Sequence, residues 1–409
     1  MSAGGIATVR PGRATGRVTA PPSKSMAHRW LIGSALAGGE SIIRHLATSE
    51  DMLATSDCLR ALGARVEGLE SGTCTVTGLD GKTRGGAERH LYCRESGSTL
   101  RFLLPLCLLD GVKSVLHGSG RLLARPLGIY EDLCRERGIY FEQNAECVTV
   151  CGRLTAGDYT MRGDVSSQFI TGLLFTLPLL DGDSRIKLTT HLESRSYLDL
   201  TLDALRTFGI RAEFVGEREI HVPGGQHYHA VDATVEGDHS NAAFLGALRT
   251  LGGDVTIEGL REDSLQGDRV WKRHMEALAA GCPTISLADC PDLGPILMAV
   301  AAAGQGATFV DTARLKIKES DRGAAMASEL AAFGVPLTVE DDRILVPGGR
   351  LRAPDRVLDG HNDHRIVMSL AVLGTLVGAT ITDARAVAKS MPDFFEVLTS
   401  LGIDVRVTD

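Results

Sequence analysis

Six times along the chain, a few small polar residues are followed by a short, almost wholly apolar run that stops at a glycine. The runs cover residues 30–37, 102–109, 169–180, 242–251, 293–303 and 366–377, closed by Gly38, Gly111, Gly182, Gly252, Gly304 and Gly378. A segment that is apolar on every side reads as a buried helix. Farther on, each run is followed by an amphipathic segment that stops at another glycine: Gly63, Gly138, Gly209, Gly281, Gly334 and Gly402. A glycine in that place suits the left-handed residue that ends a helix. Short β-branched or alternating stretches follow, such as Ala64-Arg65-Val66 and Ile403-Asp404-Val405-Arg406-Val407. The closing glycines are spaced 75, 71, 72, 53 and 68 residues apart, a period too long for a solenoid. The pattern predicts an α/β protein of six β-α-β-α-β-β units, each with one buried and one surface helix. Three units per domain, with a break at the turn-rich stretch near Gly224-Gly225, fit the length of the chain. A threefold arrangement of this kind gathers the N-termini of the buried helices at one end, where their dipoles favour anions.

The starts of these helices carry the chemistry. The first reads Pro22-Ser23-Lys24-Ser25-Met26-Ala27-His28-Arg29, a point charge and a planar fork within one turn of a helix start. The second is Glu95-Ser96-Gly97-Ser98-Thr99-Leu100-Arg101, where glycine lets backbone approach a ligand closely. The third offers Ser166-Ser167-Gln168, the fourth Asp238-His239-Ser240-Asn241, the fifth Asp292 and the sixth Asn362-Asp363-His364-Arg365. Each polar residue alone reads as a helix cap. Capping, however, does not call for an arginine inside the first turn, as at Arg29, Arg101 and Arg365. Arg125, Lys318, Arg322 and Lys389 open or precede surface helices, and Ser194 and Tyr197 open the third of them. Together the cations suffice for two multiply charged anions, with Asp292 and Glu319 placed to exchange protons among them.

Composition narrows the field. A formal charge of −8 over 409 residues argues against a nucleic-acid or membrane-surface role and makes a local cationic site stand out. The nine cysteines form no Cys-x-x-Cys pair and fit reduced thiols, and residues 1–17 have no apolar signal core. No apolar run approaches the ~20 residues of a membrane span. A soluble cytoplasmic enzyme with neither metal nor cofactor is expected, acting as a monomer.

The motifs, taken in order, resemble those of the 5-enolpyruvylshikimate-3-phosphate synthases over essentially the whole chain. The resemblance rests on Pro22-Ser23-Lys24-Ser25 with Arg29, Glu95-Ser96-Gly97-Ser98-Thr99 with Arg101, and Arg125-Pro126. It continues through Gly163-Asp164, Ser166-Ser167-Gln168-Phe169, Gln266-Gly267-Asp268, Asp292, Lys318-Glu319-Ser320-Asp321-Arg322, Asn362-Asp363-His364-Arg365 and Lys389 with Pro392-Asp393. The resemblance implies an inside-out α/β barrel of two domains, residues 19–228 and residues 1–18 with 229–409, and an active site in the interdomain cleft. It implies transfer of the enolpyruvyl group of phosphoenolpyruvate to the 5-hydroxyl of shikimate 3-phosphate, with release of phosphate. By the same resemblance, Lys24, Ser25, Arg29, Ser166, Ser167, Gln168, Ser194, Tyr197, Asp292 and Lys318 would hold shikimate 3-phosphate. Lys24, Gly97, Arg125, Gln168, Arg322, Arg365 and Lys389 would hold phosphoenolpyruvate, and Asp292, Glu319, Lys24 and His364 would be catalytic. Gly97 implies that glyphosate competes with phosphoenolpyruvate. The chain departs from the family where many members have asparagine (Glu95 and Arg314) or proline (Phe102).

Other readings fit less well. A transferase acting on UDP-N-acetylglucosamine would be expected to carry a reactive cysteine in a glycine-rich loop, and none of the nine cysteines sits in one. An RNA 3′-end cyclase would need a basic track. A non-catalytic anion-binding protein would lose Asp292 or Glu319. Glu319 itself poses a problem, because neighbouring Lys318 and Arg322 favour its charged form whereas a general acid must hold a proton. The expectation is that substrate phosphates neutralise those cations and let Glu319 take up a proton only in the complex.

Overall fold

The computed structural model describes residues 4–83 and 86–409. The chain divides into a continuous unit, Pro22–Glu236, and a discontinuous unit, Met1–Pro21 with Gly237–Asp409.

The continuous unit holds α1 (Lys24–Leu36), α2 (Glu50–Ala61), α3 (Gly97–Leu103), α4 (Gly128–Glu136), α5 (Ser167–Thr176) and α6 (Arg195–Thr207). The apolar helices α1, α3 and α5 are buried almost throughout, and α4 and α6 bury only one side. Pro105 and Pro178 lack the N–H that would continue α3 and α5, and each run ends in a tighter 3₁₀ turn. Three four-stranded sheets share one topology. In the second, Glu88–Tyr92 runs parallel to Lys113–His117, which pairs antiparallel with Cys147–Cys151, and Tyr140–Gln143 lies at the edge. The first sheet takes its opening strand from the far end of the unit: Asp232–Thr234 pairs parallel with Glu40–Arg44. Residues 229–236, expected with the other domain, are held here by that ladder.

The discontinuous unit contains α7 (His239–Thr250), α8 (Trp271–Ala280), α9 (Gly294–Ala303), α10 (Arg322–Ala332), α11 (His364–Val377) and α12 (Phe394–Ser400). Here α7, α9 and α11 form the buried set. Its three repeats are unequal. The fifth has the full four-stranded sheet, whereas the sixth is completed by Ile6–Val9, inserted between Ala379–Ile381 and Val405–Thr408. The fourth has only Thr15–Thr19 parallel to Asp254–Glu258, and α8 leads straight into Thr284–Ser286 of the next sheet. A missing hairpin is therefore what shortens the interval between Gly281 and Gly334. Five of the six closing glycines have the left-handed φ predicted, from 65° at Gly138 to 105° at Gly63, and Gly281 is extended at 172°. Among the described residues no helix is long and apolar enough to cross a membrane.

Candidate functional site

In the continuous unit, Ser23 caps α1, accepting from the Met26 N–H, so the helix begins at Lys24. Lys24 Nζ lies 2.9 Å from Asp51 Oδ2, in the first turn of α2. Arg29 is 2 % exposed and turned into the unit. It donates to the carbonyls of Ser25 (2.7 Å) and Tyr197 (2.8 Å) and to the Thr201 hydroxyl (3.0 Å), with Phe102 beneath it at 5.4 Å. Burial lowers its pKa to about 10, against the partial support of Tyr197. Arg29 thus fixes the first turns of α1 and α6, and with them Ser25, Ser194 and Tyr197. Ser194 stands at φ 55°, an uncommon conformation for a residue with a side chain.

Two polar chains lock the remaining groups. Ser98 Oγ accepts from Gln168 Nε2 (2.9 Å), Gln168 Oε1 accepts from Arg101 (2.7 Å), and Arg101 lies over Phe169. His28 Nδ1, Thr55 and Thr99 are linked at 2.8 and 2.7 Å, and Thr99 donates to Ser96 Oγ, which joins α1, α2 and α3. Burial pulls His28 down to about 3, Asp51 opposing, so this histidine is neutral at physiological pH. Ser166 caps α5 by accepting from the Gln168 N–H, with Ser167 next to it. Gly97 is the first residue of α3, and a Cβ added there would meet Arg125 Nη1 at 2.5 Å. Of the departures from the family pattern, Glu95 packs against Gly120, Phe102 is the floor beneath Arg29, and Arg314, in the other unit, donates to the Ala288 carbonyl at 3.4 Å.

The discontinuous unit gathers three cations, Lys318, Arg322 and Arg365, on three carboxylates, Asp292, Glu319 and Asp363. Asp292 does not cap α9, as it would if that helix began there. Pro291 starts a 3₁₀ turn at Pro291–Leu293, and the carboxylate projects from it. It meets Lys318 (3.2 Å), Arg322 (2.9 Å) and Arg365 (3.2 Å), and the Arg365 fork also takes the Asp292 carbonyl at 3.1 Å. Burial alone would raise Asp292; Arg365, Lys318 and Arg322 outweigh it and hold the group well below the usual carboxylate range. Arg322 is 1 % exposed and also binds Glu319 (2.7 Å) and Asp363 (2.9 Å). Against burial, Asp363, Glu319 and Asp292 push its pKa up. Asp363 caps α11 through the Arg365 N–H and accepts from Ser320 (3.0 Å). Arg322 overcomes the burial of Asp363 and lowers it to about 2. His364 is buried with Nδ1 at 3.7 Å from Asp363 Oδ1, and Lys389 Nζ donates to the Asn362 carbonyl at 2.6 Å. His361 and Asn362, at φ 52° and 48°, form a strained approach to this segment that the Asp383 carboxylate pins through the Asn362 N–H.

The structure therefore brings Asp292, Lys318, Glu319, Arg322, His364, Arg365 and Lys389 together in one unit. Lys24, Ser25, Gly97, Arg125, Ser166, Ser167, Gln168, Ser194 and Tyr197 lie in the other. Asp51 and the His28–Thr55–Thr99 chain were not foreseen. Asp51 reads in sequence as an ordinary acidic residue in a first helical turn, and only the fold sets it beside Lys24. Among the described residues, no group of three or more His, Cys, Asp or Glu is placed to hold a metal ion.

Residues 9–398 match the profile of the family described as EPSP synthase (3-phosphoshikimate 1-carboxyvinyltransferase). Proteins named 3-phosphoshikimate 1-carboxyvinyltransferase from Clostridium kluyveri and Clostridium beijerinckii are 38 % and 37 % identical to the chain; the alignments cover 97 % and 96 % of it and 97 % of each relative. An EPSP synthase structure from Acinetobacter baumannii superposes with a TM-score of 0.80 at 24 % identity, over 99 % of this chain and 100 % of that one. The enolpyruvyl transferase NikO from Streptomyces tendae does so at 0.76 and 17 % identity, over 99 % of both chains. These two likenesses concern the fold.

Proposed function

The chain belongs to the EPSP synthase family and transfers the enolpyruvyl group of phosphoenolpyruvate to the 5-hydroxyl of shikimate 3-phosphate; from that premise we propose the part each cluster plays. The observation that carries the assignment is the set of three cations on Asp292. Lys318, Arg322 and Arg365 already hold one anion, the carboxylate itself. Phosphoenolpyruvate brings a carboxylate and a phosphate that compete for the same charges. As they take over Arg322 and Arg365, Asp292 loses the interactions that keep it a weak base, and its proton affinity rises.

Asp292 then accepts the proton of the 5-hydroxyl as that oxygen bonds to C2 of the enolpyruvyl group. Glu319 delivers a proton to the methylene carbon, which gives a tetrahedral ketal with phosphate still attached. Elimination returns a proton of the new methyl group to Glu319 and restores the double bond, and phosphate leaves with the proton that Asp292 had taken from the hydroxyl. His364, behind Asp363, orients the α11 start that presents Arg365. In the continuous unit, Ser25, Ser166, Ser167, Gln168, Ser194 and Tyr197 hold shikimate 3-phosphate, and Arg29 fixes the first turns that bear them. Lys24, Gly97, Arg125, Gln168 and Lys389 complete the phosphoenolpyruvate contacts. Both substrates are anions, so oriented cations offset the repulsion between them as they meet. The enzyme works in the cytoplasm, a reading supported by its nine free thiols, and as a monomer, because the proposed site takes no residue from a second chain.

The test is phosphate release without added metal. Release should require both substrates and fall about 100-fold in Lys24→Ala, the loss expected for one oriented donor. Release with a UDP-amino sugar in place of shikimate 3-phosphate would overturn the assignment. A second expectation concerns Gly97→Ala. The new methyl meets the far end of a flexible side chain, so the fold tolerates it and the Arg125 guanidinium moves. Steady-state kinetics should show KM for phosphoenolpyruvate raised roughly tenfold or more, with kcat changed less, because a binding contact is lost. An unchanged KM would remove Arg125 from the phosphoenolpyruvate site.

A further inference from the structure

We propose that Glu329 is a positioning residue, a buried carboxylate on α10 that holds the turn at His361 and Asn362 in the shape that presents Lys389 to phosphoenolpyruvate. The inference rests on the assignment of Lys389 to that substrate made above. Glu329 is 1 % exposed. It follows Arg322 by seven residues, about two helical turns, so the two side chains leave α10 on one face. That face grips the approach to α11 on both sides of Asn362: Arg322 holds Asp363, and Glu329 holds His361.

Four donors converge on the Glu329 carboxylate. Oε1 accepts from the Ser328 hydroxyl at 2.9 Å and from His361 Nε2 at 3.2 Å, and Oε2 accepts from Arg356 Nη1 at 2.8 Å and the Asp359 N–H at 3.0 Å. Three of the four come from residues 356–361, a stretch outside the helices and strands. Burial alone would raise Glu329; the bonds from His361, Arg356 and Asp359 outweigh it and bring it down to about 2, so the anchor is charged at physiological pH. The anchor matters because the turn is strained. His361 and Asn362 stand in succession at φ 52° and 48°, a conformation that persists only where neighbouring bonds over-determine it. Glu329 supplies one such bond through the His361 ring. Asp359, tied to Glu329 by its own N–H, supplies another by accepting from the His361 N–H at 2.7 Å. With the turn set, the Asn362 carbonyl accepts from Lys389 Nζ at 2.6 Å and fixes where that ammonium stands. A relaxed turn moves this carbonyl and frees Lys389 to spread over more rotamers, a loss of preorganisation toward the anion it binds.

The experiment is steady-state kinetics of Glu329→Gln, in which an amide N–H₂ stands where donors need an acceptor. KM for phosphoenolpyruvate should rise roughly tenfold, within the range of coupled neighbouring residues, while KM for shikimate 3-phosphate, held mainly by the continuous unit, stays within about twofold. His361→Asn removes one of the four bonds and keeps a residue that accepts a left-handed φ; it should raise the same KM by less, and it serves if Glu329→Gln does not fold. In Lys389→Ala, which lacks the ammonium that the turn places, Glu329→Gln should add less than about twofold. An unchanged KM for phosphoenolpyruvate in the folded variants overturns the proposal. A parallel rise in both KM values with a lower Tm does so too, because it marks a purely structural role, and full additivity with Lys389→Ala overturns the route through that side chain. Lys389→Ala by itself tests the underlying assignment: an unchanged KM there removes Lys389 from the phosphoenolpyruvate site, whatever Glu329 does.

Discussion

Asp292→Asn is expected to fold normally and to lose about 10²–10⁴-fold in kcat, the range typical of a positioned general base. The amide keeps the size of the carboxylate and can still accept from one of its cations, so the turn at Pro291–Leu293 has no reason to rearrange. What is lost is the negative charge that Lys318, Arg322 and Arg365 share and the site for the hydroxyl proton. Those cations hold the Asp292 pKa well below the ordinary range in the free enzyme. Catalysis as proposed requires the substrates to reverse this. The wild-type kcat profile should therefore report a base of higher pKa in the ternary complex than the free enzyme shows in kcat/KM. Single-turnover phosphate release across pH measures both. A kcat within about threefold of wild type would exclude Asp292 as the base.

Arg322→Leu should have the larger effect on stability. Arg322 is the common partner of Asp363, Glu319 and Asp292, and Asp363 has no exposed surface. An apolar side chain of smaller volume leaves a buried carboxylate without its counter-ion, a loss of about 3–5 kcal/mol. Arg322→Lys restores one charge without the planar fork and should recover only part of it. Acid sensitivity checks the same pair. The folded-state pKa of Asp363 is depressed to about 2, against about 3.9 in an unfolded chain. A depressed carboxylate stabilises above its unfolded pKa, so the stability from this pair is present above about pH 4 and lost as pH falls toward 2. Urea denaturation at a series of pH values should show that acid-dependent loss in wild type and a shallower one in Arg322→Leu. Equal slopes would mean that Asp363 is not held by Arg322.

Much of this architecture could be read from residue order, because glycines and apolar runs are local signals. The closing glycines marked five left-handed helix ends, and Gly281 failed because nothing turns there: α8 leads directly into the next strand without a hairpin. The spacing of 53 residues carried that information without revealing which element was absent. Asp363 shows where local reasoning stops. Its cap on α11 was legible from position, whereas its bond to Arg322, 41 residues away, depends on tertiary packing. Arg29 was equally visible as a cation near a helix start, but its burial over Phe102 and its bonds to α6 were not.

The borrowed strands bear on how the polypeptide emerges from the ribosome. Thr15–Thr19 is made early, but its partner Asp254–Glu258 appears only after the whole of Pro22–Glu236 has been synthesised. The continuous unit, whose last strand Asp232–Thr234 closes its first sheet, can then complete itself while Thr15–Thr19 waits unpaired. Units of this size generally fold as they are released. A nascent chain halted just beyond residue 236 should already protect α1, α3 and α5 from protease, while residues 4–20 remain open to cleavage until translation has supplied their partners.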